Sequence, residues 1–341
     1  MTNRLDYIDI AKGLCILLVV MGHILQFNCT GDGSRTVFDF IYSFHMPVFM
    51  LLSGYVASLS RDKIKKGNAI HFIKKKFVQL VIPFLFWGLV IMPFIVRRES
   101  FLSFPTIMCK LLVQPDTGAW FIITLFCIQT YFVIFCLLAN RLHLRNRTWS
   151  DGVATIVVMA LLAFCSKCLN SFVPNISGGV NFYMPKEYML FFFMGYWICR
   201  YLKDAVYSNW VLLVSLLSFA VLVRYYVFGN DPHKLQVLCG MFASVIVLHL
   251  AKAIEKTGSY YKRVLIRYGK STLIIYLTHF PIIMLLQDGL RCNTDSVAGI
   301  PLFLIVSAIS VPVCAICTCW GNVISANYIF NFLLYGKYTK E

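Results

Sequence analysis

Three histidines offer the clearest chemistry in this sequence: His23, His45 and His279, each inside a strongly apolar stretch. An ionisable side chain at membrane depth is costly, so it is a functional-site candidate by default. In DYIDIAKGLCILLVVMGHILQF, residues 6–27, His23 follows Lys12 by 11 positions. On a helix that spacing returns to within about 20° of the same face, with a rise of about 16 Å. One stripe therefore carries a cation near one membrane surface and an imidazole near the middle. Asp9 lies three residues before Lys12, close enough to pair with it. The plainer alternative is a histidine capped by a backbone carbonyl, with Lys12 snorkelling to the interface.

The stretch FDFIYSFHMPVFMLLSGYVAS, residues 38–58, sets His45 two positions before Pro47. Proline inside a span breaks the hydrogen-bond ladder and kinks the helix. The carbonyls it frees, with Ser43, Ser53 and Gly54, would make a polar patch in apolar surroundings, and Tyr42 and Ser53 are candidate substrate contacts. A structural kink with a satisfied histidine is the alternative. In YGKSTLIIYLTHFPII, residues 268–283, a basic, glycine-containing loop opens a span with Ser271, Tyr276, Thr278 and His279, again just before a proline. Three histidines in three spans, two of them followed within two residues by proline, indicate a polar cavity between helices. A neutral imidazole there is suited to general acid–base work.

These residues need a membrane scaffold to hold them. Of 341 residues, 59% are hydrophobic and 13% charged, with a mean hydropathy of +0.73; a soluble domain is about half apolar and a quarter charged. Apolar runs long enough to span a bilayer, roughly 17–25 residues, recur about ten times. They are expected near 8–27, 37–59, 77–96, 118–139, 152–170, 187–202, 210–228, 235–252, 271–288 and 300–328. With the N-terminus inside, about 22 of the 31 Lys and Arg residues fall on cytoplasmic segments, as the positive-inside rule asks. The expectation is an all-α, polytopic transmembrane bundle, residues 1–341 forming one membrane-embedded domain, with both termini cytoplasmic. The net charge of +16 is then mostly a topology signal and no nucleic-acid footprint. The first span lacks a small-residue cleavage site and runs on past His23, unlike a secretory signal. Most of the 13 cysteines lie in apolar runs. CAICTCW, residues 314–320, has no nearby His or carboxylate, so neither a metal site nor disulfides are expected.

Six pieces in order resemble the acyltransferase-3 family, integral-membrane O-acyltransferases of bacteria that modify surface and envelope carbohydrates. They are RLDYIDIAKGLCILLVVMGH, FHMPVFMLLSGY, HFIKKKFVQLVIPFLFWG, GAWFIITLF, YMLFFFMGYWI and YGKSTLIIYLTH. GAWFIITLF, with Trp120, is similar to a span of sugar O-acetylases of the fucose-acetylating type. Two positions depart from the family pattern. The basic partner of the first histidine is usually Arg and is Lys12 here, which supplies charge without a bidentate fork. An Arg common four residues before the third-span proline is Gln79, leaving Lys74, Lys75 and Lys76 to carry that charge.

The resemblance implies acetyl-CoA as a cytoplasmic co-substrate, no permanently bound cofactor, and a carbohydrate hydroxyl as acceptor, in a multi-pass protein of the bacterial inner membrane. Asp9, Lys12, His23 and His45 are then the expected catalytic residues. Tyr42, Ser53, Lys74, Lys75, Lys76, Trp120, Arg267, Lys270 and His279 are expected to bind substrate. The basic inner face, Lys63, Lys65, Lys66, Lys262, Arg263, Arg267 and Lys270 included, suits the phosphates of coenzyme A, although positive-inside bias alone would also place cations there. His23 is expected to deprotonate the acceptor, or to be acylated itself and relay the group; His45 is expected to orient the acceptor or polarise the thioester carbonyl. The 341 residues carry no hydrolase-like extracytoplasmic domain of the kind some members append, so direct delivery is the simpler expectation. The outer loop at 173–187 is expected to shape acceptor choice. The competing classes are a transporter or flippase, whose spans also carry kinks and ionisable groups, and a catalytically silent scaffold.

Overall fold

An apolar segment in lipid must satisfy its backbone internally, and a helix does so within one segment. The computed structural model describes residues 5–113, 119–142, 146–172, 185–229, 232–287, 289, 291–297 and 299–337. Its main helices are α1 (Asp6–Asn28), α2 (Asp32–Tyr42), α3 (His45–Ser58), α4 (Ala69–Val96), α5 (Phe104–Val113), α6 (Trp120–Arg141), α7 (Arg147–Phe172), α8 (Lys186–Arg200), α9 (Asn209–Phe228), α10 (Pro232–Glu255), α11 (Tyr260–Lys270), α12 (Thr272–Gln287), α13 (Gly299–Ile324) and α14 (Tyr328–Tyr335). Among the described residues, eight helices are long and apolar enough to cross a membrane, with α2 and α3 forming one such segment; α11 and α12 make a ninth, bent by 87°. Two two-residue strands, β1 (Cys29–Thr30) and β2 (Cys292–Asn293), pair in parallel.

Several boundaries differ from the sequence expectation for physical reasons. The 187–202 span is α8, 15 residues and so about 22 Å long, shorter than the ~30 Å apolar layer. The break in the second span lies at Ser43–Phe44, before Pro47. Pro47 is the third residue of α3, where its missing N–H has no intrahelical partner to lose. In α4 the ladder widens into π-helical stretches at Phe77–Val81 and Trp87–Val96, the second containing Pro93. The last expected span stops at Ile324, and α14 follows as a separate short helix.

The chain divides into two compact units. The first comprises residues 1–53 and 198–322 and contains α1, α2, α9–α12 and most of α13. Here α1 and α11 meet backbone to backbone. Gly13 faces the carbonyl of Leu265, and Gly269 faces the carbonyl of Asp9; a Cβ at either glycine would collide. Both contacts are spaced four residues apart on each chain but in opposite order, so the helices run antiparallel through this turn. The start of α1 is held by two further contacts. Its Tyr7 N–H donates to Glu255 Oε1 at 3.1 Å, and the Lys252 ammonium lies 5.7 Å from the Tyr7 ring.

The second unit comprises residues 54–197 and 323–341. Its polar centre is Arg61, 1% exposed and paired with a fully buried Asp151 at 2.8 Å. Arg61 Nη1 also donates to Asn140 Oδ1 at 2.6 Å, and the Tyr196 hydroxyl donates to the other Asp151 oxygen. Buried charges persist only when paired and hydrogen-bonded; both Nη atoms of Arg61 meet that condition, while its Nε is buried without a partner among the described residues.

The glycine crossing gives a direct test. In Gly269→Val the new side chain meets the Asp9 backbone, which cannot rotate away, and overpacking of this kind costs about 1–3 kcal/mol. A clear fall in the thermal unfolding midpoint of the detergent-purified chain is expected; an unchanged midpoint contradicts the crossing.

Candidate active site

The three histidines come together in the first unit. His23 stands in the fifth turn of α1, half-buried. Its ring centroid is 5.1 Å from that of His279 on α12, and it lies within electrostatic range of both His279 and His45. Phe27 stacks against His23 at 6.0 Å and Phe280 meets it edge-on at 6.1 Å, while these two phenyl rings touch each other at 5.1 Å. The aromatic wall lowers the local polarity and strengthens whatever electrostatic contacts the imidazoles make.

Hydrogen bonds decide which nitrogen of each ring is free. His45 Nδ1 lies 2.8 Å from the Ile41 carbonyl, and His279 Nδ1 2.9 Å from the Ile275 carbonyl. A carbonyl only accepts, so Nδ1 must carry the proton in both rings. Neutral His45 and His279 therefore present Nε2 as an acceptor, and His279 Nε2 is buried with no hydrogen-bond partner. Such a ring suits orienting a hydroxyl; polarising a thioester carbonyl would need the protonated form. His23 Nδ1 lies 3.2 Å from Gln26 Oε1, which by the same reasoning leaves its Nε2 as the free base.

Tyr42 fits beside this group. Its ring packs at 4.6 Å on His45 and at 3.8 Å on Phe38. It also covers Gly22, where a Cβ would strike it, so the residue before His23 is small enough to let α2 approach. Ser53, at the end of the first unit, donates its hydroxyl to the Phe49 carbonyl at 2.9 Å, and the oxygen keeps its lone pairs for a ligand. Lys12, half-buried on α1, lies one residue from Gly13 in the crossing. Arg267 and Lys270 on α11 are exposed; they flank Gly269, which packs on Asp9. The stripe thus has a basic end built from two helices, and Asp9 is buried at 4% exposure within it.

The second unit holds the remaining candidates. Lys74, Lys75 and Lys76 form the last turn of an α-helical stretch before the first π segment, with Lys76 over the ring of Phe72 at 5.6 Å. Trp120 opens α6 and packs against Tyr188 at 5.5 Å. This unit also has a basic cavity of about 830 Å³, lined by Lys65, Lys66, Arg141, Arg147, Asn140, Leu137 and Asp62. Of the acceptor loop expected at 173–187, residues 173–184 lie outside the described residues. Sequence reasoning missed Gln26, Phe27 and Phe280. The first sits three positions after His23, a spacing that places neighbours on one helix face, and Phe280 directly follows His279.

Long apolar helices around a cluster of intramembrane imidazoles define a multi-pass membrane protein with a buried polar site. Residues 5–319 match the acyltransferase domain of the acyltransferase-3 family, and the chain belongs to that family. Similar curated proteins include the nodulation protein NolL of Sinorhizobium fredii (strain NBRC 101917 / NGR234), 33% identical over 148 residues, which are 40% of this chain and 39% of that protein. The nodulation protein NolL of Mesorhizobium japonicum (strain LMG 29417 / CECT 9101 / MAFF 303099) is 38% identical over 91 residues, 25% of this chain and 24% of its own length. The chain thus aligns with well under half the length of these relatives. No solved structure matches it.

Accessibility separates the three rings. His45 and His279 are 3% and 1% exposed, whereas His23 is half-buried. Diethyl pyrocarbonate should modify His23 first, read by peptide mass spectrometry of the folded protein. Equal labelling of the three contradicts the arrangement.

Proposed function

We propose that this chain moves an acetyl group from cytoplasmic acetyl-CoA to a hydroxyl of a cell-surface or envelope carbohydrate, with His23 as general base. The observation that carries this reading is the free Nε2 of His23, beside His279 and on the same stripe as Lys12. Membership of an acyltransferase family supports the reaction class. Coenzyme A is polyanionic, and the Lys12, Arg267 and Lys270 end of the stripe suits its phosphates, acting as point charges at Lys12. The pantetheine arm then runs along α1 toward His23, about 16 Å further on.

The acceptor hydroxyl has a pKa far above 7 and needs a base as it attacks. Its oxygen bonds to the thioester carbonyl carbon while its proton passes to His23 Nε2. The tetrahedral adduct collapses, the C–S bond breaks, and the coenzyme A thiolate takes the proton back from His23. His279 and His45, with Nε2 as acceptor, orient the hydroxyl. Gln26 holds the His23 tautomer. Residues Lys74–Lys76, the basic cavity lining and Trp120 in the second unit are assigned to substrate binding.

Parity supports a matching topology. Strands β1 and β2 pair in parallel just after α1 and α12, and the opposite ends of this helix system meet at Asp9 and Gly269. So α1 and α12 run in the same direction, which requires an odd number of crossings between them. Counting α8 as a crossing gives seven between them and ten spans in all, with both termini on one side. The Lys and Arg bias makes that side the cytoplasm of a bacterial inner membrane and puts the strand pair on the outer side.

With labelled acetyl-CoA and a panel of glycans, His23→Ala should lose about 10²–10⁴-fold in turnover, the range of general base catalysis, with an unchanged unfolding midpoint. Lys12→Gln should chiefly raise KM for acetyl-CoA, and Lys12→Arg should restore it. Near-native turnover in a folded His23→Ala protein overturns the assignment.

A further inference from the structure

Two thiols at the outer end of the site have no part in this reaction. Cys29 is the first residue after α1, and Cys292 is the fifth after α12. They are direct register partners in the β1–β2 pair, and their Sγ atoms lie 3.0 Å apart. The loops around them are tied together by several bonds. Thr294 N–H and Oγ1 both donate to the Thr30 carbonyl, at 2.9 and 2.8 Å. Ser34 N–H donates to Thr294 Oγ1 at 2.8 Å, and Asp32 N–H to Asp295 Oδ1 at 3.1 Å. Two loose chain ends drifting together would not make this many bonds.

We infer that Cys29 and Cys292 form a disulfide that staples the outer end of the His23 helix to that of the His279 helix. This rests on the topology proposed above, which sets both residues on the oxidising side of the membrane, where disulfides persist. The electrons pass to a disulfide-bearing oxidoreductase. The exposed Cys292, as thiolate, attacks that disulfide, forming a mixed disulfide and releasing one oxidant sulfur as a thiol. Cys29 then gives up its proton and attacks Cys292 Sγ; the protein disulfide forms and the second oxidant sulfur leaves. Two electrons and two protons have moved, and the oxidoreductase ends as a dithiol. Burial, then the contact with Cys292, pushes Cys29 up to about 12, in keeping with Cys292 as the first attacker. The staple lies six residues beyond His23 and thirteen beyond His279, so it limits how far the two helices can separate at the acceptor side.

The chain would be isolated from intact cells with an oxidising envelope, quenched with acid and N-ethylmaleimide, and mapped with and without reductant. The Cys29 and Cys292 peptides should appear as one linked species that separates on reduction, and Cys29→Ser or Cys292→Ser should each abolish it. Dithiothreitol should lower the unfolding midpoint of the native chain by several degrees and leave Cys29→Ser unaffected. Recovery of both cysteines as maleimide adducts overturns the inference. A membrane-impermeant maleimide applied to Asn293→Cys, in a Cys29→Ser/Cys292→Ser background, separates the causes. Labelling from outside shows that the topology holds and the staple alone fails, whereas shielding shows that the topology is wrong and the disulfide falls with it. None of these readouts depends on acyl transfer.

Discussion

The site depends on a contact with no side chain in it. Gly13 and Gly269 let the backbones of α1 and α11 touch, and the placement of His279 beside His23 follows from that approach. It fixes the start of α12 beside Asp9. The chain then turns by 87° and carries His279 to His23. A methyl group at either glycine would push α11 outward and carry His279 with it. Small residues that permit close backbone approach are a common solution in lipid, where helices gain little by burying apolar surface from one another.

Given that scaffold, the chemistry is set by how few partners each imidazole has. Water cannot tune a ring in an apolar interior, so the nearest fixed groups do. For His45 and His279 these are carbonyls one turn back on the same helix; for His23 it is Gln26. The result is three Nε2 atoms without a competing proton, grouped near an aromatic wall. Preorganised acceptors of this kind need little rearrangement when a hydroxyl arrives.

Much of this was legible in the sequence, because the membrane makes ionisable residues conspicuous. His23, His45 and His279 stand out against their neighbours, and the 11-residue spacing put Lys12 on the same stripe as His23. What could not be read were features that depend on distant partners. Cys29 and Cys292 are 263 positions apart, and no local pattern marks them as a pair, so disulfides were not expected. No local pattern marks Arg61 either, yet it is buried against Asp151, 90 positions away. The break at Ser43–Phe44 was misplaced at Pro47 because proline is disruptive only where its N–H would have been used. The short α8 lies where a span was expected at 187–202, but its 15 residues fall short of the length that usually announces one.

The most direct test is a cryo-electron microscopy structure of the full chain with a non-hydrolysable thioether analogue of acetyl-CoA. The account predicts the analogue's phosphates at the Lys12, Arg267 and Lys270 end and its acyl carbon near His23, leaving Nε2 about 3–3.5 Å from the position of an attacking oxygen. An acyl group seated away from His23, or a coenzyme entering from the side of Cys29 and Cys292, would contradict it.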